Sequence, residues 1–464
     1  MISLGLLPFD AHNHIQLGPP PLPPPPSSDL FRQQLPEAAA ATTTAAAASS
    51  LSKIGNNHIN DEDNEDAKTE HEEARHSFLV RSLGEYIRNE LKGKNLCGMA
   101  IMATHPRDFA TLLDLEREVH NQTPSVTNHI IDGNNDNNDI ATTVQEITIL
   151  PGLGVHPWFL HELAENDWTM VPSTSSFEQH EYVGSESSNH YHNHTAMPEK
   201  VPNWIANLES LLAEHPHLPV GEIGLDNFHF DPITQELTST MDKQVEALTL
   251  QLGVATRLHR PVSLHCVRAM GRLMDALEEV AEENYQRLSK KWNNDDNEIF
   301  LYGEISENFP SEKKERKHSK NNIVLPPRLY FHAFGGKAAT ATQLIKTLEK
   351  PRRIKIRNES MKRQTQKKFV SVVPPKVYFG FAPPVNFRSP KTASVIKAVG
   401  LERLVLETDR EDVRDIGPDL EAGIVWISEV LGITEKELVL VTNENARDLY
   451  GCCGAGVEGR FAPT

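Results

Sequence analysis

Eight short apolar runs, spaced along the chain with helical patterns between most of them, constrain this fold more than any other feature. They are 2–10 (ISLGLLPFD), 97–104 (CGMAIMAT), 148–156 (TILPGLGVH), 219–226 (PVGEIGLD), 261–267 (PVSLHCV), 328–334 (RLYFHAF), 377–382 (VYFGFA) and 403–409 (RLVLETD). Each is continuous rather than alternating, as strands buried on both faces of a parallel sheet require. Helical spacing separates them, as in Trp204, Ile205, Leu208, Leu211 and Leu212; Val245, Leu248, Leu252 and Ala255; and Met270, Leu273, Met274 and Leu277. Thr434-Glu435-Lys436-Glu437 fits a capping box that opens a last helix running through Leu438 to Leu449. Strands alternating with helices in this number predict an α/β fold, a (β/α)8 TIM barrel. The rival, an open doubly wound sheet, usually has fewer strands, and no GxGxxG follows the first one.

A barrel core needs about 250 residues, and this chain has 464. Long low-complexity insertions account for the surplus. Residues 18–28 read GPPPLPPPPSS, an Ala/Thr run spans Ala38 to Ala48, and DEDNED covers Asp61 to Asp66. Such sequences bury too little apolar surface to offset ordering entropy. The whole chain, 1–464, is therefore read as one barrel domain with segments 17–76, 121–146, 165–200, 291–322 and 350–374 largely disordered. Segments 17–76 and 165–200 follow strands and belong on the face that carries catalysis in a barrel; the other three precede strands and belong on the opposite face. One of those three carries nine Lys/Arg and one acid, Glu359, between Lys350 and Lys368. Such a run can be a nucleic-acid-binding patch or an import signal, but from the opposite face it cannot deliver a polyanion directly to a site, and it reads first as a solvated loop, ahead of import or partner binding. His180, His190, His192 and His194 likewise read first as part of a flexible polar loop, ahead of metal scavenging.

The net charge is 46 − 64 = −18, which argues against a dedicated nucleic-acid coat protein. It does not exclude an enzyme that grips phosphates through metal ions. Four Cys without a CxxC pair exclude a disulfide scaffold and a zinc finger. No run of about 18 apolar residues occurs, so no membrane partner is expected. The start, Met1-Ile2-Ser3-Leu4-Gly5, lacks the basic region of a signal peptide. A protein of a reducing compartment, cytoplasmic or nuclear, is the expectation.

The polar residues fall at the C-terminal ends of the predicted strands. The first ends Asp10-Ala11-His12-Asn13-His14, and alternation puts Asp10, His12 and His14 on one face. Two imidazoles at i and i+2 can chelate a divalent cation, although a lone HxH is as often a pair of exposed loop histidines. Glu222 sits inside an apolar run, where a carboxylate is costly unless paired or metal-bound. His265, His332 and Asp409 end three further strands, and each alone reads more readily as a satisfied core or loop residue. Together they form a set of four His and two acids, more than one zinc ion needs. Two divalent metals sharing a carboxylate follow, with Glu222 as the bridge and Asp409 as ligand and base for the attacking water. Asp10 would orient His12 or His14.

FDAHNHI, GVHPW (154–158), VGEIGLD (220–226), PVSLH (261–265), FHAFGG (331–336) and LETD (406–409) resemble the TatD family of metal-dependent deoxyribonucleases, within the amidohydrolase superfamily. Thr442-Asn443 with Asn445-Ala446-Arg447 resembles the family's terminal helix motif. The resemblance implies a TIM barrel, two divalent ions (Mg, Mn or Zn) and phosphodiester hydrolysis, often as a 3′→5′ exonuclease. It implies that His12 and His14 bind the first metal, Glu222 bridges, His265 and His332 bind the second, and Asp409 completes the site. It places His156 in contact with substrate or behind the ligands. Two departures stand out. Val267 occupies the place of the family's Arg two residues past the strand-5 His, with Arg268 one position on. Arg410-Glu411-Asp412 follows the last Asp where a Pro-containing segment is usual, which sets two acids beside the presumed substrate entrance. DNA is the expected substrate, with protein partners expected through the disordered insertions. The competing readings are an amide or ester hydrolase of the wider superfamily, and a non-catalytic scaffold.

Overall fold

The computed structural model describes residues 9–13, 62–91, 96–121, 148–172, 200–294, 322–355 and 369–451. Among them, eight strands build a barrel: β1 (Phe9–Asn13), β2 (Gly98–Met102), β3 (Thr148–Gly152), β4 (Val220–Asp226), β5 (Val262–Val267), β6 (Arg328–Phe331), β7 (Lys376–Gly380) and β8 (Leu404–Val405). Parallel ladders run β1-β2-β3 and β4-β5-β6-β7-β8. Backbone bonds join the two sheets at both seams. Leu153 pairs with Val220 in a parallel bridge, with Gly221 N donating to Leu153 O at 3.0 Å. On the other side Asp409 N donates to His12 O at 3.0 Å. Every residue of β2 and β4 is buried, which is why β2 is wholly apolar and β4 is apolar apart from Glu222 and Asp226.

A helix follows each strand: α1 (Glu62–Leu91), α2 (Asp108–Asn121), α3 (Asn203–Glu214), α4 (Met241–Arg257), α5 (Met270–Asn294), α6 (Ala338–Leu348), α7 (Thr392–Val399) and α8 (Val413–Leu431), with α9 (Glu435–Gly451) last. Each turns an apolar stripe to the barrel. In α4 the stripe is Ala247, Leu248, Leu252 and Ala255, all buried, with the Thr240 hydroxyl capping Lys243 N. Thr434 caps α9 by accepting from Glu437 N at 3.1 Å. Gln251 of α4 accepts from Val155 N at 2.7 Å and so fixes the loop that follows β3.

The ordered regions reach further into the insertions than composition implies. The segment 17–76 enters α1 at Glu62. Glu, Ala and Lys are strong helix formers, and the helix is held downstream by buried Leu83, Ile87 and Leu91, each worth about 1.5–3 kcal/mol. His76 also meets Asp114 of α2 at 2.8 Å. The segment 165–200 is trimmed by a 3₁₀ turn at Glu165–Trp168 and an antiparallel ribbon of Met170–Pro172 with Lys200–Pro202. Segment 350–374 is trimmed by a ribbon of Arg352–Lys355 with Phe369–Val372, and α5 runs to Asn294 at the start of 291–322. Paired backbone groups hold these ends where few apolar side chains are available. The remainders, 14–61, 122–147, 173–199, 295–321 and 356–368, lie outside the described residues. No described helix is long and apolar enough to cross a membrane.

Candidate metal centre

Glu222 of β4 is the hub of the barrel mouth. It is 1% exposed, and four imidazoles surround it. His12 Nε2 lies 3.2 Å from Oε2. His265 Nδ1 lies 2.8 Å and His156 Nε2 3.4 Å from Oε1, and His332 Nε2 contacts the same oxygen. The His12 and His332 rings stack, centroids 4.0 Å apart. Asp409 Oδ1 stands 3.9 Å from His12 Nε2 and 4.0 Å from His332 Nδ1. Asp409 adopts a left-handed φ of 54°, a conformation Asp tolerates and which clusters at functional sites.

Two groups of potential ligand atoms, each within 4.8 Å of one another, share this carboxylate: His12, Glu222 and His332; and His156, Glu222 and His265. Buried imidazole and carboxylate donors suit a borderline divalent cation, so the residues present fit the ions that the sequence implies.

Further residues hold the donors in place. His12 Nδ1 is 2.9 Å from Ser263 Oγ. His265 Nε2 is 3.1 Å from Asp226 Oδ2, which also accepts from Trp158 Nε1 at 2.7 Å. Burial opposes charge on His265, but hydrogen bonds to Asp226 and Glu222 outweigh it and raise the imidazole to about 9. The carboxylates that favour a proton there favour a metal cation in its place. Burial also opposes ionisation of Asp226, yet His265 and Trp158 hold its carboxyl below the usual range. Gln244 clamps the Asp226 backbone, accepting from its N at 2.7 Å and donating to its O at 3.0 Å. Glu407 accepts from Ala333 N at 2.7 Å and from the Tyr330 hydroxyl. Burial and the Asp409 charge raise Glu407 well above the carboxylate range.

Of the sequence-selected residues, His12, Glu222, His265, His332, Asp409 and His156 converge here. His14 lies outside the described residues. Asp10 is buried and accepts from His12 N at 3.3 Å and from Thr408 N and Oγ1 at 3.1 and 2.6 Å, so it fastens β1 to the segment that follows β8. Arg268 stands over the Phe228 ring, its guanidinium carbon 3.7 Å from the centroid. Sequence reasoning passed over Asp226, Ser263 and Glu407. Asp226 and Ser263 lie four and two residues from a selected one on the same strand, where alternation gives them a shared face, and Glu407 lies past the end of β8. Asp412 does not crowd the mouth with free charge. It caps α8, accepting from Arg414 N at 2.9 Å, and receives the Tyr86 hydroxyl at 3.0 Å.

A family model described as TatD related DNase matches residues 57–451. The Cut9-interacting protein scn1 of Schizosaccharomyces pombe is 20% identical over 324 residues, covering 64% of this chain and 83% of that protein. Similar solved structures include the TatD homolog YJJV from Escherichia coli K12, at 17% identity and TM-score 0.42, covering 77% of this chain and 88% of that one. A TatD family hydrolase from Entamoeba histolytica shares 12% identity at TM-score 0.43, covering 79% and 88%. An uncharacterized amidohydrolase from Saccharomyces cerevisiae shares 15% at TM-score 0.45, covering 79% and 91%.

Proposed function

This chain belongs to the TatD-related DNase family, and from that premise we propose that it is a metal-dependent phosphodiesterase that cleaves DNA. The observation that carries the reading is the buried Glu222 carboxylate ringed by four imidazoles, His12, His156, His265 and His332. A carboxylate so enclosed is stable only when its charge is matched. His12, His14, Glu222 and Asp409 would hold one divalent ion, and His265, His332 and Glu222 the other. Such ions, when bound, supply charge neutralisation and an acidified water.

The protein's own groups do the rest. Asp226 accepts from His265 Nε2–H, which leaves the Nδ1 lone pair facing inward. Ser263 does the same for His12, fixing Nδ1 so that Nε2 faces Glu222. His156 differs. Its Nδ1 accepts from Trp158 N at 3.3 Å, so the ring carries its proton on Nε2 and donates towards Glu222. That favours an orienting or substrate-contacting role over ligation. Asp409, 18% exposed, takes the proton of the water that attacks phosphorus, while the bond to the leaving sugar oxygen breaks and that oxygen takes a proton from solvent. The relative scn1 is named for interaction with Cut9, which supports a protein partner beside this activity.

The test combines elemental analysis with digestion of single-stranded and duplex oligonucleotides in Mg or Mn. One to two equivalents of divalent ion and cleavage that disappears in Glu222→Gln and Asp409→Asn are expected. Absence of bound metal after reconstitution, or cleavage surviving both substitutions, refutes the reading. Turnover of an ester or N-acyl amino acid in place of DNA would favour the amidohydrolase alternative.

A further inference from the structure

The loop joining β4 to α4 carries an aromatic ledge that the hydrolytic groups do not use. Phe228, Phe230 and Ile233 are 51%, 44% and 89% exposed. Phe228 and Phe230 meet edge to face, with centroids 6.0 Å apart at 81°. Arg268 covers one side of Phe228, its guanidinium carbon 3.7 Å from the ring centroid, and half of the side chain remains open to solvent.

Two features make the ledge part of a site rather than incidental surface. The loop is built in advance: Asp231 Oδ1 accepts from Ile233 N at 2.8 Å and Thr234 N at 2.7 Å, and Asp231 N donates to Glu236 O at 2.8 Å. Phe230 and Leu237 form an antiparallel bridge. The ledge is also tied to the centre. Phe228 N and His229 N donate to Asp226 Oδ1 at 2.6 and 3.0 Å, while the other oxygen of that carboxylate is 3.1 Å from His265 Nε2. The His229 ring stacks on Trp158 at 4.3 Å, so the loop is pinned from both sides.

We propose that Phe228, backed by Arg268, is a stacking platform for a nucleobase of the strand being cleaved. The inference rests on the phosphodiesterase reading and adds the residue that would hold a base. A base inside a duplex already stacks on its neighbours, so the platform selects a single-stranded or frayed end. Arg268 serves twice, as the π-face partner of Phe228 and as a cation for a neighbouring phosphate.

The probe is a short fluorescein-labelled oligothymidylate with phosphorothioate links, which resist hydrolysis, beside its abasic counterpart. Fluorescence anisotropy is read on the full-length, metal-loaded protein. Wild type should bind the base-bearing oligomer roughly tenfold more tightly, within the range of one aromatic–base stack. Phe228→Ala should remove that preference, and Phe228→Trp should keep it. Because Phe228 is half exposed, its removal leaves the core intact. Equal binding of the two oligomers by wild type, or an undiminished preference in Phe228→Ala, overturns the platform. If ordinary DNA is still cleaved, the phosphodiesterase reading survives that result; if no DNA is cleaved at all, both fail.

Discussion

Replacing Asp226 with Asn tests how the centre is wired, because this carboxylate accepts four hydrogen bonds. Phe228 N and His229 N reach Oδ1, and Trp158 Nε1 and His265 Nε2 reach Oδ2. An amide has one accepting oxygen. Kept towards the two backbone donors, it turns its NH2 against Trp158 Nε1–H and His265. The reverse orientation sets the NH2 against both backbone donors and is worse. Trp158 then loses an acceptor, at a cost of about 1–3 kcal/mol. His265 recovers a bond only by presenting an unprotonated Nε2, which moves its proton to Nδ1, the atom 2.8 Å from Glu222. That nitrogen no longer has a lone pair for a cation. Metal affinity should fall by roughly 10- to 100-fold, equivalent to about 1.4–2.7 kcal/mol. Chelator competition with Mn or Zn reads the affinity, and thermal unfolding without metal reads the Trp158 cost separately. A folded Asp226→Asn protein that binds metal as tightly as wild type would refute the tautomer argument.

Gly224→Ala should destabilise the barrel, because a Cβ there would lie 2.0 Å from the His265 carbonyl oxygen. The obstacle is backbone, so β4 and β5 must part, an overpacking cost of about 1–3 kcal/mol and a Tm loss of roughly 2–5 °C; an unchanged Tm would contradict the close approach. Asp448→Asn should flatten the acid limb of stability. Burial raises the Asp448 carboxyl, but hydrogen bonds from Lys376, Tyr378 and Arg328 outweigh it and hold the group well below the usual range. A depressed folded-state value contributes stability that is fully present above the unfolded value and is lost as pH falls through the folded one. Wild-type Tm should therefore drop more steeply than the variant's from about pH 5 to about pH 3; parallel curves would sink the assignment.

The fold was legible because parallel strands buried on both faces have no polar face to show. The run 219–226 became β4 at Val220–Asp226 and 261–267 became β5 at Val262–Val267. The last strand was read too long, since backbone pairing ends at Val405 and the chain continues to Asp409 through bonds to Asp10 and His12. The centre was legible where a polar residue interrupted an apolar run, as at Glu222. Its supports were not, although Ser263 precedes His265 by two residues and Asp226 follows Glu222 by four. Alternation puts each on the face of its neighbour, but a Ser or a strand-end Asp costs little on a surface and so raises no alarm in a sequence. At the insertion edges the structure carries more regular backbone than composition implies. Composition measures what a segment can bury by itself, whereas the N-terminal half of α1 continues a helix anchored elsewhere.

The two departures from the family pattern have separate structural meanings. After Asp409, Arg410 bonds Asp419 at 2.5 Å and Asp412 bonds Arg414. Asp412 is thus engaged in starting α8 and Arg410 is paired, so neither charge stands alone at the mouth. After His265, moving the basic residue one place along an extended segment would turn it to the other side. Arg268 instead adopts a left-handed φ of 52°, and that turn carries its guanidinium onto Phe228. The basic charge absent from Val267 thus stands over the Phe228 ring, on the loop that follows β4.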